Sequence, residues 1–291
     1  MSTEYSVELL CSTLEVSRSS YYEWKNGKTY KVNYRKEIME QQTVKEFWEH
    51  KRRYGARRIT ASLQQKNIRA SIYTTRKVMK RQGLKSIQPR SFVPKTTNSK
   101  HSYTMSPNLL ESRETPKCIN KVWVGDITYI PLQGGKFCYL SVWMDLFSRR
   151  IIGWKLMAHM REEIVIESLR KAIQSRKPLS GTIIHSDRGG QYAGNAFRAL
   201  LRKHELLQSM SNADNPYDNA NMESYFSRFK AELIQKGSFL TIEDAQIEIE
   251  EYIENYYNVI RLHSSLNYNS PLNFELKSKM KNEKDKSGKL A

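Results

Sequence analysis

At residue 122 the chain changes its hydrophobic pattern, and that change limits what its second half can become. Three short runs, VWVGDITYIPL, FCYLSVWMDLF and RIIGWKLMA, are rich in β-branched and aromatic residues, which predicts strands. Gly134-Gly135 and Ser148-Arg149 stand between them at turn positions, so the three form an antiparallel meander. A helix is predicted over roughly 161–175, with Ile164, Leu169 and Ile173 inward. A buried strand, GTIIHSD, follows, then a helix around 194–204 on Phe197, Leu200 and Leu201, and a short strand near 206–210. A long helix from about 219 to 235 closes the unit.

Three strands, helix, strand, helix, strand, helix is the element order of an RNase H-like α/β sheet. A catalytic core of this kind is expected over 118–240, with a helical extension and basic tail over 241–291. In that last part Ile247, Ile249, Tyr252, Ile253 and Tyr256 predict a helix, with loop-like sequence after it to 276.

Residues 1–85 are predicted to be all-helical. A short hairpin over 4–27 carries Val7, Leu10, Leu14 and Val16 on its apolar face, with Ser17 capping its second helix through Tyr21, Tyr22 and Trp24. A charged amphipathic helix over 32–50 follows, with Ile38, Val44, Phe47 and Trp48 inward. Next comes a helix-turn-helix pattern: Ile59 and Leu63 on one helix, a turn through 66–70, and Ser71 capping a second helix that carries Val78 and Met79. Gly83 suits the end of that helix. Residues 86–117, with four prolines and little periodicity, read as a linker.

Charge assigns a role to the helical part. Of the net +18, residues 1–100 hold 22 Lys and Arg against 8 Asp and Glu, whereas the other 191 residues are nearly balanced. So basic a first third points to a polyanion, and nucleic acid is the commonest one. Thr74, Thr75, Arg76, Lys77, Lys80 and Arg81 on the second helix supply donors for phosphates or base edges. An ordinary basic helical pair stands as the alternative.

No run approaches the roughly 18 apolar residues of a membrane span, and mean hydropathy is −0.68. No signal peptide is read at the N-terminus, so a cytoplasmic, DNA-associated protein with no membrane partner is expected. Cys11, Cys118 and Cys138 form no CxxC pair, and the six histidines show no HxxxH or HExxH spacing, which excludes zinc-knuckle and zincin patterns.

The chemistry is expected at carboxylates. Asp126 lies inside an aromatic-rich strand, a costly place for an acid unless a cation compensates it. Asp187 ends the fourth strand, with Gly189-Gly190 after it as a tight turn, and Glu223 lies on the long helix. Carboxylates from separate elements at one end of a sheet suit two hard divalent ions, Mg²⁺ or Mn²⁺, in phosphoryl transfer. Asp145, also in an apolar run, either caps the end of the second strand or shapes the floor of the site.

At these residues the chain resembles the bacterial insertion-sequence transposases whose catalytic second-reading-frame protein has a retroviral-integrase-like DDE core. Between Asp187 and Glu223 stand 35 residues, matching the DD(35)E spacing, and Lys230 follows Glu223 by seven, where that group carries a basic residue. VWVGDITYI, YLSVWMDLFSRRIIGW, HSDRGGQY, NPYDNANMESYFSRFKAEL and YYNVIRLHSSLNYNSPLNF match its core, and VSRSSYYEW and RRYGARRITASLQQKNI its N-terminal region.

The resemblance implies a metal-dependent transposase with Asp126, Asp187 and Glu223 as catalytic residues and metal ligands. Water first frees a 3′-OH at the element's end, and that hydroxyl then attacks a target phosphodiester. Lys230, on the same helix face as Glu223, and Arg188 would contact DNA. Asn219 would bond a phosphate or a metal-bound water, or else cap its helix after Pro216. Gln191 and His185 flank the site, with His185 a plain strand-edge residue as the alternative.

The partners implied are double-stranded DNA, both element ends and target, and further copies of the chain on that DNA. The family's first-reading-frame protein, separate or as a frameshifted fusion, is a third. Two other classes stay open: an RNase H-like nuclease without strand transfer, and a non-catalytic DNA-binding regulator.

Overall fold

The computed structural model describes residues 5–27, 34–89, 105–111, 114–212, 219–235 and 237–287. Much of the expected linker, Pro216 and the residues after 287 lie outside them. Five strands make one mixed sheet: β1 (Val122–Pro131), β2 (Phe137–Asp145), β3 (Ile151–Met157), β4 (Ile183–Ser186) and β5 (Leu207–Met210). Their order is β3-β2-β1-β4-β5, antiparallel within the meander and parallel from β1 through β4 to β5. Gly134 and Gly135 turn β1 into β2 with φ of 73° at both, a conformation other residues reach only with strain.

Both faces of the sheet are covered, so its strands alternate between two apolar layers. On one face Trp123, Trp143 and Ile184 meet α6 (Glu162–Arg176), α7 (Gly190–Ala193) and α8 (Asn195–Lys203). On the other, Val122, Val124, Leu140 and Val142 join a cluster with Met222, Tyr225 and Phe229 of α9 (Ala220–Phe229) and with residues 245–262. The expected helix over 219–235 is therefore only partly regular. After Phe229 it widens into a π-helical turn, Lys230–Ile234, and α10 (Ile242–Glu250) likewise widens over Glu251–Tyr257.

The helical region contains α1 (Val7–Thr13), α2 (Arg18–Lys25), α3 (Tyr34–Glu49), α4 (Ala56–Gln65) and α5 (Ile72–Arg81). Ser71 caps α5 in a reciprocal capping box with Thr74, as its position predicts. The hairpin's expected apolar face is largely open: Leu14 and Val16 are exposed, and only Cys11 is buried. In α3 the inward face is Met39, Thr43, Glu46 and Phe47, whereas Ile38 and Trp48 point outward. The physical reason is Glu46, an acid on the inward face. It is fully buried because Lys66, His50 and the Ser62 hydroxyl all bond its carboxylate.

The apolar cluster runs without a break from α3, α4 and α5 into residues 245–262, so the helical region is docked on the core. A last difference lies at the C-terminus. The chain does not stay loop-like to 276 but forms α11 (Pro271–Ser287), with Pro271 at its first position, where a missing N–H costs nothing. Buried Glu275 on α11 accepts from Arg150, Arg176 and Ser148, holding the helix to the β2–β3 turn and α6.

Candidate active site

Register places the first two acids. β1 and β4 pair in parallel from Val122↔Ile183 to Val124↔His185. Two residues beyond that last pair stand Asp126 on β1 and Asp187 just past β4, so the acids leave neighbouring strands at the same level. Neighbouring strands are about 4.8 Å apart and paired residues share a face, so the two carboxylates oppose each other where β4 ends.

The electrostatics follow from this placement. Asp126 keeps some solvent access, yet protein surrounds it closely enough that burial pushes its carboxyl well above the usual range. Asp187 and then Glu223 push it the same way, while the Ile127 N–H, 2.7 Å from Oδ1, and the Lys230 ammonium pull it down. Burial in turn draws the Lys230 amine below its ordinary value, against the opposing pull of Asp126. Asp187 accepts from the Gly189 N–H at 3.0 Å. Gly189 and Gly190 do not form the expected tight turn; they lead into α7.

Glu223 is exposed on the first turn of α9, and Lys230 lies seven residues along on the same face. Among the described residues no three His, Cys, Asp or Glu side chains stand close enough together to hold a metal ion. Asp126 and Asp187 nevertheless have the donor chemistry for one: hard oxygens, mutual repulsion and a site where an uncompensated charge is costly.

Other expected residues fall as follows. Asn219 takes the N-cap position of α9 but makes no capping bond, and its buried Oδ1 has no partner among the described residues. Arg188 donates through Nε to the Ser211 carbonyl at 2.8 Å, tying the end of β4 to the chain after β5. Gln191 donates to the Met160 carbonyl at 3.0 Å. His185 is not at a strand edge. It is buried in an interior strand, with its ring nitrogens 2.8 Å from Ser209 Oγ and 3.2 Å from Ser211 Oγ.

Asp145 caps the end of its strand. It accepts from the backbone N–H groups of Asn120, Phe147 and Ser148 and from the Ser148 hydroxyl. On α5, Arg76, Lys77, Lys80 and Arg81 are all exposed, although Arg81 also pairs with Glu40 of α3.

Three residues beside the acids carry no role in the sequence reading. Tyr192 is buried close enough to Asp187 and Asp126 that both, after burial itself, raise its phenol well above the ordinary range. Its ring meets Trp143 edge-on at 5.9 Å. Gly125, next to Asp126, faces the Trp143 indole so closely that any side chain would collide with it. The motifs VWVGDITYI and HSDRGGQY contain Gly125 and Tyr192, but only the fold brings them to Trp143.

Family models described as an integrase core domain match residues 116–216 and 204–271, and one described as an HTH-like domain matches 34–92. The transposase for insertion sequence element IS904 of Lactococcus lactis subsp. lactis (strain IL1403) is 40% identical over 240 residues, which is 82% of this chain and 94% of that protein. The transposase InsF for insertion sequence IS3A of Escherichia coli (strain K12) is 35% identical over 278 residues, which is 94% and 96% respectively. Among solved structures, the HTLV-2 integrase catalytic core domain in complex with magnesium is 17% identical, with a TM-score of 0.43. That match covers 55% of this chain and 98% of the other.

Proposed function

The chain belongs to the family of the IS3 and IS904 insertion-sequence transposases, and from that premise we propose that Asp126, Asp187 and Glu223 are its catalytic carboxylates and metal ligands. The observation that carries this is the level meeting of Asp126 and Asp187 at the end of β4, with Glu223 and Lys230 close enough to shift the Asp126 carboxyl.

In-line displacement at phosphorus needs no covalent protein nucleophile. It needs an attacking oxygen, first water and then a 3′-OH, opposite the departing one, with charge neutralised at both. Two divalent ions, Mg²⁺ or Mn²⁺, held by the three carboxylates would supply that neutralisation. Asp126 and Asp187 hold their oxygens on rigid strands. Glu223 comes from an exposed helix turn and supplies the third ligand. Lys230 takes a DNA phosphate beside the acids, and Asn219 offers its unpartnered oxygen to a bound water. Arg188 contacts DNA at the same end of the sheet.

The helical region over 1–85 grips the duplex, with Arg76, Lys77, Lys80 and Arg81 presented by α5. The linker over 86–117 joins it to the catalytic core over 118–240 and the extension over 241–291. Two element ends must be held together, so the working form is an oligomer on DNA, with or without a first-reading-frame partner. No described helix is long and apolar enough to cross a membrane, and a cytoplasmic, DNA-associated enzyme is proposed.

Asp126→Asn, Asp187→Asn and Glu223→Gln should each abolish cleavage and joining of a pre-cut element end in Mg²⁺ while leaving DNA binding within about threefold. Near-normal joining by any one variant would remove that residue from the set. Hydrolysis by the wild type with no joined product would instead make the chain a nuclease.

A further inference from the structure

Three segments far apart in sequence are joined by hydrogen bonds around the loop after residue 257. The first is RRYGARR, at the entry to α4. Tyr54 donates to the Ile260 carbonyl at 3.2 Å and accepts from the Leu262 N–H at 2.8 Å, and Arg58 Nε donates to the Leu262 carbonyl at 2.8 Å. The second is the β2–β3 turn, where Arg149 sits at φ 60°, a strained conformation for a side-chain-bearing residue. It donates to Asn221 Oδ1 on α9. The third is the loop after residue 257. Its Arg261 makes a two-armed buried pair with Glu232 at 2.6 and 2.8 Å and reaches His263 Nε2 at 3.5 Å.

The charges at this junction do not balance. Glu232 is committed to Arg261 and Tyr252. Among the described residues neither Arg58 nor Arg149 has a carboxylate within ion-pair distance, although both are half-buried. Asp145 is felt by Arg149, but four donors already occupy it. Arg58 uses only Nε, so its two terminal nitrogens donate to nothing described. His263 lies among Arg261, Arg58 and Arg149, and burial followed by their combined charge holds its imidazole well below the ordinary range. Half-buried guanidiniums without counter-charge are costly, and their planar forks match the non-bridging oxygens of a phosphate.

We propose that Arg58, bonded to the loop after residue 257, and Arg149, on the β2–β3 turn next to Ile151 that Asn258 of the same loop bonds, form a binding site for one backbone phosphodiester of DNA. Asn221 lies two residues before Glu223 and so on the opposite side of the helix. The phosphate held there therefore belongs to a strand passing behind α9, not to the scissile bond. The site ties the helical region, the core and the C-terminal loop to one stretch of DNA. It rests on the reading of the chain as a DNA-processing enzyme.

The test uses the full chain and a labelled duplex of arbitrary sequence, with affinity followed by fluorescence anisotropy across a salt series. Arg58→Gln with Arg149→Gln should flatten the slope of log K against log salt by about 1, the value for one phosphate contact. Affinity should fall about tenfold. Arg149→Lys should restore most of the slope. Unchanged slopes in a folded double variant would overturn the site.

If Arg58→Gln does not fold, Arg149→Gln alone carries the same test, because among the described residues that side chain bonds only Asn221. Inorganic phosphate is a separate probe. If it raises the melting temperature of wild type but not of the double variant, while DNA slopes stay equal, the site takes free phosphate and the DNA assignment is overturned. The two readings fail separately: a flattened slope without any strand joining by wild type sinks the transposition chemistry and keeps the site. Normal joining with equal slopes does the reverse.

Discussion

Gly125→Ala is the smallest change that should damage the site without touching an acid. A methyl built there sits 2.4–2.6 Å from three atoms of the Trp143 indole, where carbon–carbon contacts settle at about 3.5–4.0 Å. Something must move by about 1 Å. The indole is poorly placed to do so: it is fully buried, its Nε1 donates to Ser168 Oγ at 3.0 Å, and it stacks on Phe197 at 6.1 Å. Overpacking costs about 1–3 kcal/mol, and losing the indole hydrogen bond about 1 kcal/mol more.

A total of about 2–4 kcal/mol should lower the melting temperature by about 5–15 °C. The alternative yield is in β1 itself, which moves Asp126 off the level of Asp187, and displacement of about 1 Å can cost about 100-fold in rate. Circular dichroism melts, with strand-joining assays well below both midpoints, separate the two losses. The discriminating experiment is the double change Gly125→Ala with Trp143→Phe, which lacks the far part of the indole. The clash explanation requires the second substitution to relieve part of the first. A Gly125→Ala protein that melts within about 1 °C of wild type, or strict additivity in the double variant, would refute it.

Other expectations follow from residues described above. Burial alone would raise the Glu46 carboxyl, but bonds from His50, Lys66 and Ser62 prevail and bring it from 4.5 to about 2. A folded-state value depressed in this way gives stability that is full above about pH 4.5 and lost as pH falls toward 2. The shift corresponds to about 3 kcal/mol at most, and water around half-exposed Lys66 screens it to about 1–2 kcal/mol. Amide exchange in α3 and α4 should therefore accelerate between pH 4.5 and 3 relative to α6, and Glu46→Gln should remove that pH dependence. Asp145→Ala strands three backbone N–H groups and should cost about 2–4 kcal/mol in urea unfolding. Its activity per folded molecule should survive, and loss of chemistry in a folded protein would make it part of the site. Neutralising Arg76, Lys77, Lys80 and Arg81 together should flatten the salt slope of duplex binding by up to about 4; an unchanged slope would move the main DNA contact off α5.

What the sequence made legible was local or periodic. β-Branched runs and glycine turns identify the meander, and an acid among aromatics marks Asp126, because each signal lies within about ten residues of chain. Asp187 and Glu223 needed the spacing and the family motifs, since a strand-end Asp and a helix Glu look ordinary alone. The burial of Glu46 was not legible, because hydrophobic periodicity assigns acids outward, and its three partners come from positions 50, 62 and 66. Glu275 was missed for the same reason: it lies in a basic stretch but answers arginines about 100 residues away. The Arg58–Arg149 junction has no local signature, because it exists only once three motifs converge.

The π-helical turn at Lys230–Ile234 bears on what changes in chain length this region can absorb. Substituting Lys230 alters one side chain and leaves the helix path intact. A π turn holds about one residue more than the α turn it replaces, so removing a single residue from 230–234 would let the segment relax to ordinary α geometry with the chain after it nearly in phase. If the residue removed lies after Glu232, that carboxylate keeps Arg261 and Tyr252, and the chain still re-enters at Gln133 and Leu132, which the Phe239 backbone meets at the sheet edge. A one-residue deletion at 233 or 234 should therefore cost less stability in thermal melts than a one-residue deletion within the regular turns of α9, which would rotate everything after it by about 100°.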